Sequence, residues 1–379
     1  MRALIYKRSS AGGVDERVLP TLTQTAVTNR APVSLRVTSF SLNPVDAKYL
    51  LGDKLPLCCS LSSFPSRLVE GRVIGCDFSG IVESASPESG WKTGDAVFGV
   101  TFRKAGGTAT EIITVDNTSD ALAAAHGLGS SEAAALALAG LSALQSLEMA
   151  LGVPTAQLFM AGLSGDVTRA RGRARVHRRR LLILGASGGV GHLAIQLAQL
   201  LDPNLIVVGV CSSANVPFVS SLNAECVVVS YTEGREELKN QLRMHGRFDA
   251  VLDCVCSNDP RDQAAGYDKF LRENGLLTSS ATYVSMGGRW WEWVWAGLVA
   301  IWENADAINM QPCAPGKTAL YWIRTRGASQ QLERLAMWVR EGRLKVIISE
   351  EIEFNAHAVA KGLERLRGRR VVGKIVVQV

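Results

Sequence analysis

Hydrophobic and polar positions follow two patterns along this chain. Between Met1 and Asp120 short apolar-rich segments are broken by Gly, Pro, Ser and Asp. This predicts strands at Arg2–Lys7, Val33–Leu42, Val73–Ser84, Ala96–Val100 and Ala109–Val115, with a helical period only near Ala47–Leu51. From Ser130 the pattern changes. Glu132–Leu147 is an alanine-rich helix for which Ser130 or Ser131 is the expected N-cap. Strands and helices alternate beyond Arg180. The expected strands are Leu181–Leu184, Leu205–Cys211, Cys226–Tyr231, Phe248–Val255, Gly275–Ala281 and Ala319–Thr325. The expected helices are His192–Leu201, Val216–Leu222, Arg235–His245, Gln263–Glu273 and Trp290–Glu303. Six strands separated by helices predict an α/β domain with a doubly wound parallel sheet. A helix at Gln330–Gly342 and strand-like Val346–Ile348 and Lys374–Val379 follow, and the tail is expected to return to the N-terminal β domain.

The most informative junction is the one after Leu181–Leu184. Gly185, Gly188, Gly189 and Gly191 follow this buried strand directly and lead into the helix that starts near His192. Strand, glycine turn and helix form a phosphate cradle: glycine allows close backbone approach, and the helix N-terminus offers free N–H groups and positive potential. Set against G-x-G-x-x-G, the segment reads Ala186, Gly188 and Gly191, so alanine replaces the first glycine. A second apolar strand, Leu205–Cys211, follows at βαβ spacing, which favours a dinucleotide site over a bare packing turn.

With 379 residues, 47% hydrophobic and 20% charged, the chain has the length for two domains and a composition that suits a soluble α/β protein. The net charge of +6 is partly local, since seven arginines lie between Arg169 and Arg180. No hydrophobic period survives in that stretch, which predicts a solvated basic insertion at residues 162–180, with contact to nucleic acid or an acidic membrane as the alternative. The eight cysteines include no C-x-x-C pair and fall mostly in apolar runs, the pattern of reduced buried thiols. No apolar run is expected to reach the ~18 residues of a membrane span, and no targeting peptide is expected before the first strand.

Several separated motifs then point to one family. They are Ser41–Lys48 with its Asn43-Pro44-Val45-Asp46 core, Gly75–Val82, Trp91–Gly99, Ala139–Leu144, the glycine turn and the closing Gly373–Val377. Together they resemble the medium-chain dehydrogenase/reductase superfamily in its zinc-free quinone oxidoreductase branch, most closely the chloroplast-envelope quinone oxidoreductases and the reticulon-4-interacting mitochondrial proteins. The resemblance implies a GroES-like β domain (1–125 and 327–379) and a Rossmann domain (126–326), with NADPH as hydride donor. No metal site is expected. Gly75-Cys76-Asp77 stands where zinc enzymes of the superfamily carry Gly-His-Glu, and Cys58-Cys59 is no four-cysteine lobe. Without a Lewis acid, alcohol oxidation gives way to hydride transfer onto a quinone or an α,β-unsaturated carbonyl.

The candidate residues follow from the turn and from the resemblance. Ser187, Gly188, Gly189 and Val190 would hold the pyrophosphate. At the end of the second strand, Ser212 and Ser213 replace the acid of an NAD-specific site and would accept a 2′-phosphate, although Ala214 stands where NADPH-preferring relatives often add a cation. Tyr231 matches a position near the adenosine phosphate, or simply caps its strand. Lys374 matches the closing Gly-Lys near the cofactor, with a surface salt bridge as the alternative. Asn43 and Asp46 match a motif beside the nicotinamide and would serve equally as turn residues around Pro44. Lys48 and Tyr49 are the nearest candidate proton donors, with solvent as the alternative.

Trp290–Trp302 places Trp291, Trp295, Leu298 and Trp302 on one helical face. Such a stripe suits a hydrophobic substrate wall or subunit contact, a core helix, or membrane-surface docking. The expected function is an NADPH-dependent oxidoreductase acting on a small hydrophobic substrate. The alternatives are an enoyl reductase of lipid or polyketide metabolism and a dinucleotide-binding interaction protein with little turnover. A monomer or homodimer is expected, cytoplasmic or peripheral on an organelle membrane, with no nucleic-acid partner.

Overall fold

A computed structural model describes residues 1–7, 13–19, 31–49, 71–102, 107–152, 178–255, 266–287, 316–321 and 323–379. The chain divides into two compact units, unit 1 comprising Met1–Ala139 and Thr325–Val379, and unit 2 comprising Gly140–Arg324.

Unit 1 begins with β1 (Arg2–Tyr6), β2 (Val14–Val18) and β3 (Pro32–Leu42), then α1 (Pro44–Tyr49). It continues through β4 (Asp77–Ala85), β5 (Ala96–Val100), β6 (Ile112–Asp116) and β7 (Ala121–Ala124) into α2 (Ser130–Leu151), which crosses the boundary between units. Unit 2 holds β8 (Arg180–Leu184), α3 (Gly191–Leu201), β9 (Ile206–Cys211), α4 (Val216–Leu222), β10 (Val227–Ser230) and α5 (Arg235–Met244). It closes with β11 (Phe248–Asp253), α6 (Tyr267–Glu273), β12 (Leu277–Ser285) and β13 (Thr318–Leu320). The chain returns to unit 1 with α7 (Ser329–Arg340), β14 (Ile348–Glu353), α8 (Ala356–Arg367) and β15 (Lys374–Gln378).

In unit 2 the six strands pair in the order β10-β9-β8-β11-β12-β13, every pairing parallel. Leu181–Leu184 is buried throughout, the signature of a central parallel strand covered on both faces. In unit 1 a seven-stranded sheet runs β14-β15-β3-β4-β5-β7 with β6 also on β3, while β1 and β2 form a separate antiparallel pair. β15 pairs antiparallel with β3, so the last strand is laid against the first half of the chain. Two apolar clusters fill unit 1, one around Phe40, Leu42 and Ile375 and the other around Val33, Leu35 and Phe78.

Several elements depart from the pattern reading. Helix α8 was not expected between Val346 and Lys374. Its apolar side, Val359 and Leu363, packs into unit 1, and Asn355 caps it by accepting from Ala358 N at 2.8 Å. Strands β2 and β7 are also additional. β12 runs four residues past Ala281, whereas β13 ends at Leu320 rather than Thr325. Ser130 opens α2, and its hydroxyl bonds Thr38 Oγ1 (2.8 Å) and Ser39 Oγ (2.6 Å), tying the helix to β3. The expectation that no run reaches spanning length is corrected as well. Ser130–Leu151 is long and apolar enough to cross a membrane by length and composition, yet 94% of its most apolar window is buried inside the protein. The expected tryptophan helix Trp290–Glu303 and most of the arginine run lie outside the described residues. The run's last three residues are placed: Arg178 and Arg179 donate to Asn204 O and Leu151 O, and Arg180 N donates to Asp249.

Candidate functional site

In unit 2 the glycine turn joins β8 to α3. Gly185 has a positive φ of 76°, and its N–H donates to Val210 O on β9 (3.0 Å), as does Ala186 N (2.9 Å). A Cβ on Gly191 would lie 2.1 Å from Gly185 O, so only glycine lets the helix start this close to the strand. This is the role of the third glycine of a dinucleotide turn. Gly188 N donates back to Gly185 O at 3.0 Å, closing the turn. Amides in the first turn of a helix lack partners within the helix and suit an anion; of those here, His192 N already donates to Gly188 O (3.1 Å). Ser187, Gly188, Gly189 and Val190 are all partly exposed there. The cradle fits a pyrophosphate.

The structure brings the predicted cofactor residues other than Lys374 together at the carboxyl ends of β8, β9 and β10, while Lys374 lies on β15 in unit 1. Asn215 Nδ2 donates to Ser187 Oγ at 3.0 Å, linking the glycine turn to the segment after β9. Ser213 N donates to Thr232 Oγ1 (3.2 Å), which in turn bonds Ser230 Oγ (2.6 Å). Tyr231 stands between them, its N–H donating to Cys211 O (3.1 Å), and the residue is 46% exposed. Asn215 and Thr232 escaped the sequence reading. Their only sequence signal was polarity just beyond the ends of two apolar strands.

Unit 1 carries a second polar group, and it is buried. Asn43 follows β3 and Asp46 lies in the first turn of α1. Asn43 N donates to Asp46 Oδ2 (2.9 Å), and Asp46 N returns a bond to Asn43 O (3.0 Å). Asn43 Nδ2 donates to Ser41 O (3.1 Å) and Asp77 Oδ2 (2.9 Å), while its Oδ1 accepts from Lys374 Nζ. Lys374 also donates to Leu42 O (3.2 Å) and lies 3.6 Å from Asp77 Oδ2. Ser41 donates twice to Asp77, from N (2.8 Å) and Oγ (2.6 Å). The donors and carbonyl of the Asn43 amide are thus all engaged, and Lys374 is held inside unit 1. Lys48 and Tyr49 end α1, and their side chains lie outside the described residues.

Asp46 is the electrostatic focus of this group. Burial raises its pKa from the ordinary 3.8 to about 6, with Asp77 adding to the rise, while the bond from Asn43 N, the Lys374 charge and the Tyr6 hydroxyl (3.3 Å) oppose it. Burial likewise pushes the Cys76 thiol well up, helped by Asp46 and Asp77. Tyr6, Ser41 and Asp77 were missed as members of this network. Asp77 had a signal, an acid opening a strand between apolar Cys76 and Phe78; Tyr6 had none.

These groups do not fit a zinc ion. Cys76 favours its protonated form, Asp77 is committed to Ser41, Asn43 and Lys374, and the lysine already supplies the local positive charge. Among the described residues no three His, Cys, Asp or Glu side chains converge as metal ligands.

The description "Alcohol dehydrogenase GroES-like domain" fits residues 29–139, and "Zinc-binding dehydrogenase" fits residues 222–377. A chloroplast envelope quinone oxidoreductase homolog of Arabidopsis thaliana is 29% identical, with 100% of this chain and 98% of that protein covered. A chloroplastic quinone-oxidoreductase homolog of Spinacia oleracea is 33% identical, with 91% and 88% covered. A trans-enoyl reductase of Aspergillus terreus is 25% identical, with 92% and 86% covered. Among solved structures, the quinone oxidoreductase of Coxiella burnetii superimposes with a TM-score of 0.69 at 23% identity, covering 100% and 99%. The Escherichia coli quinone oxidoreductase complexed with NADPH gives 0.66 at 15%, covering 100% of both.

Proposed function

The chain belongs to the medium-chain dehydrogenase/reductase superfamily and is one of its oxidoreductases, and from that premise we propose that it uses NADPH to reduce a hydrophobic quinone or α,β-unsaturated carbonyl. The observation that carries this reading is the glycine cradle, closed by Gly191 against Gly185 O and bordered at the end of β9 by Ser212 and Ser213 where an NAD site would carry an acid. When bound, the reduced nicotinamide supplies the hydride. Ser187 and the amides of Gly189 and Val190 hold the pyrophosphate, and Gly188, whose own N–H closes the turn onto Gly185 O, lets it approach the backbone. Ser212 and Ser213 receive the 2′-phosphate without repelling it, and Tyr231 flanks it. In unit 1, Asn43 and Lys374 keep the end of β3 and the start of α1 in one geometry, and Asp46 holds a proton across the mildly acidic range. Lys48 and Tyr49 remain the candidate donors to the reduced product.

The names of the Arabidopsis and spinach relatives support a quinone as acceptor and an organelle as location; the Aspergillus relative supports the alternative, an enoyl reductase. Oxidation of NADPH and NADH by the purified protein, with short- and long-chain quinones, enones and enoyl thioesters, separates these readings. Turnover with NADPH and quinones is expected. Turnover confined to enoyl thioesters would replace the quinone reading, and tight dinucleotide binding without any turnover would replace both.

A further inference from the structure

Asp253, the last residue of β11, is fully buried at the carboxyl end of the parallel sheet. Its Oδ1 accepts from Val255 N (2.9 Å) and its Oδ2 from the hydroxyl of Tyr283 (2.6 Å), a fully buried side chain of β12. Burying a carboxylate is costly, and a well-packed apolar pair would join two strands at least as stably. The strands are in any case already joined, since Ala250–Asp253 runs in register with Thr282–Ser285. The carboxylate therefore contributes geometry more than adhesion.

What it fixes is a meeting of strand ends. Met286 N donates to Asp253 O (3.0 Å), Cys254 N to Leu184 O at the end of β8 (3.1 Å), and Tyr321 N to Ser285 O (2.8 Å). Val255, whose amide Asp253 holds, presses on the glycine turn: its Cγ2 lies 3.0 Å from where a Cβ on Gly185 would sit. Strand order reverses between β8 and β11, and a dinucleotide lies across such a switch point with one mononucleotide half on each side. The glycine turn, Ser212 and Ser213 belong to the β8–β9–β10 side, which is the adenosine side. The ends of β11 and β12 are on the nicotinamide side.

We infer that Asp253 is a positioning residue for the nicotinamide half of the dinucleotide, acting through the Val255 amide and the Tyr283 hydroxyl. The inference rests on the reading that the chain binds a dinucleotide, and it concerns one end of that site. Asp253→Asn keeps the shape and removes the charge; Tyr283→Phe removes only the hydroxyl. The test is calorimetric titration of the full-length wild type and both variants with NADPH and NADH, and with their adenosine halves, adenosine 2′,5′-bisphosphate and AMP. Loss of a charged hydrogen bond predicts dinucleotide binding about tenfold weaker in D253N and about threefold weaker in Y283F, with the adenosine halves within about twofold of wild type. Equal loss on dinucleotide and adenosine half would mean that Asp253 merely supports the sheet. Unchanged dinucleotide binding would mean that it positions nothing. Either result overturns the inference, and Y283F carries the same comparison should D253N fail to fold. If the wild type binds neither dinucleotide, the dinucleotide reading itself falls and takes this inference with it.

Discussion

Asp46 shows how far one buried side chain departs from what its neighbours in sequence suggest. In solution an aspartate between Val45 and Ala47 would titrate near 3.8; in the fold it titrates near 6 because burial disfavours its charge. The native state therefore binds more protons than the unfolded chain between these values. The stability that this gives is full below the unfolded pKa and is lost as pH rises to about 6, a total of about 3 kcal/mol for a shift of roughly two units. Asp46→Asn is expected to remove that slope, so that urea midpoints of wild type and variant converge or cross as pH is raised from 4 to 7. Parallel curves would show that Asp46 does not titrate in this range. Lys374 gives a second prediction. Its ammonium serves Leu42 O, Asn43 Oδ1 and Asp77 at once, so Lys374→Met leaves a buried carboxylate without its cation and is expected to destabilise unit 1 by about 3–5 kcal/mol. Chemical denaturation of the full chain measures this, and a loss under 1 kcal/mol would show that Asp77 is satisfied without the lysine.

At the scale of elements, the β8–turn–α3 unit is legible in the sequence because its signals are local. A continuous apolar run marks a doubly covered strand, glycine marks the turn, and the helical period follows at once. The structure adds why Gly191 is obligatory. Gly191→Ala would place a methyl 2.1 Å from the Gly185 carbonyl and push α3 off β8. Dinucleotide affinity is expected to fall at least tenfold while secondary structure by circular dichroism is kept, since only the helix start must move; unchanged affinity would mean that the turn is not the binding element. Helix α8 was not legible for the opposite reason. Its propensity is ordinary, and what stabilises it is burial of Val359 and Leu363 against strands more than 300 residues earlier, including β1 and β3.

For the whole molecule, the expected consequence of dinucleotide binding is thermodynamic. A ligand that binds only the native state, at one hundred times its dissociation constant, adds about 2.7 kcal/mol and raises the midpoint of a domain this size by about 5 °C. Differential scanning with NADPH and NADH then ranks the two. A larger rise with NADPH is expected, and an equal or larger one with NADH would remove the argument built on Ser212 and Ser213. Charge and cysteine usage were also readable in bulk. The buried Cys211 and Cys226 thiols, raised by burial to about 11 and about 12, behave as apolar core residues.

The sequence by itself determined the class of fold, the six parallel strands, the glycine turn and the family, because periodicity, turn chemistry and motif order are properties of neighbouring residues. Only the tertiary structure decided which polar side chains meet. Lys374 reaches Asn43 across 331 positions, Asn43 reaches Asp77 across 34, and Tyr283 reaches Asp253 across 30. The resemblance places Lys374 near the cofactor and Asn43 beside the nicotinamide, or in a turn around Pro44; the fold adds that both also hydrogen-bond each other inside unit 1. The reason is physical. A buried polar group must find its partners wherever the chain brings them, and no local pattern records where that is.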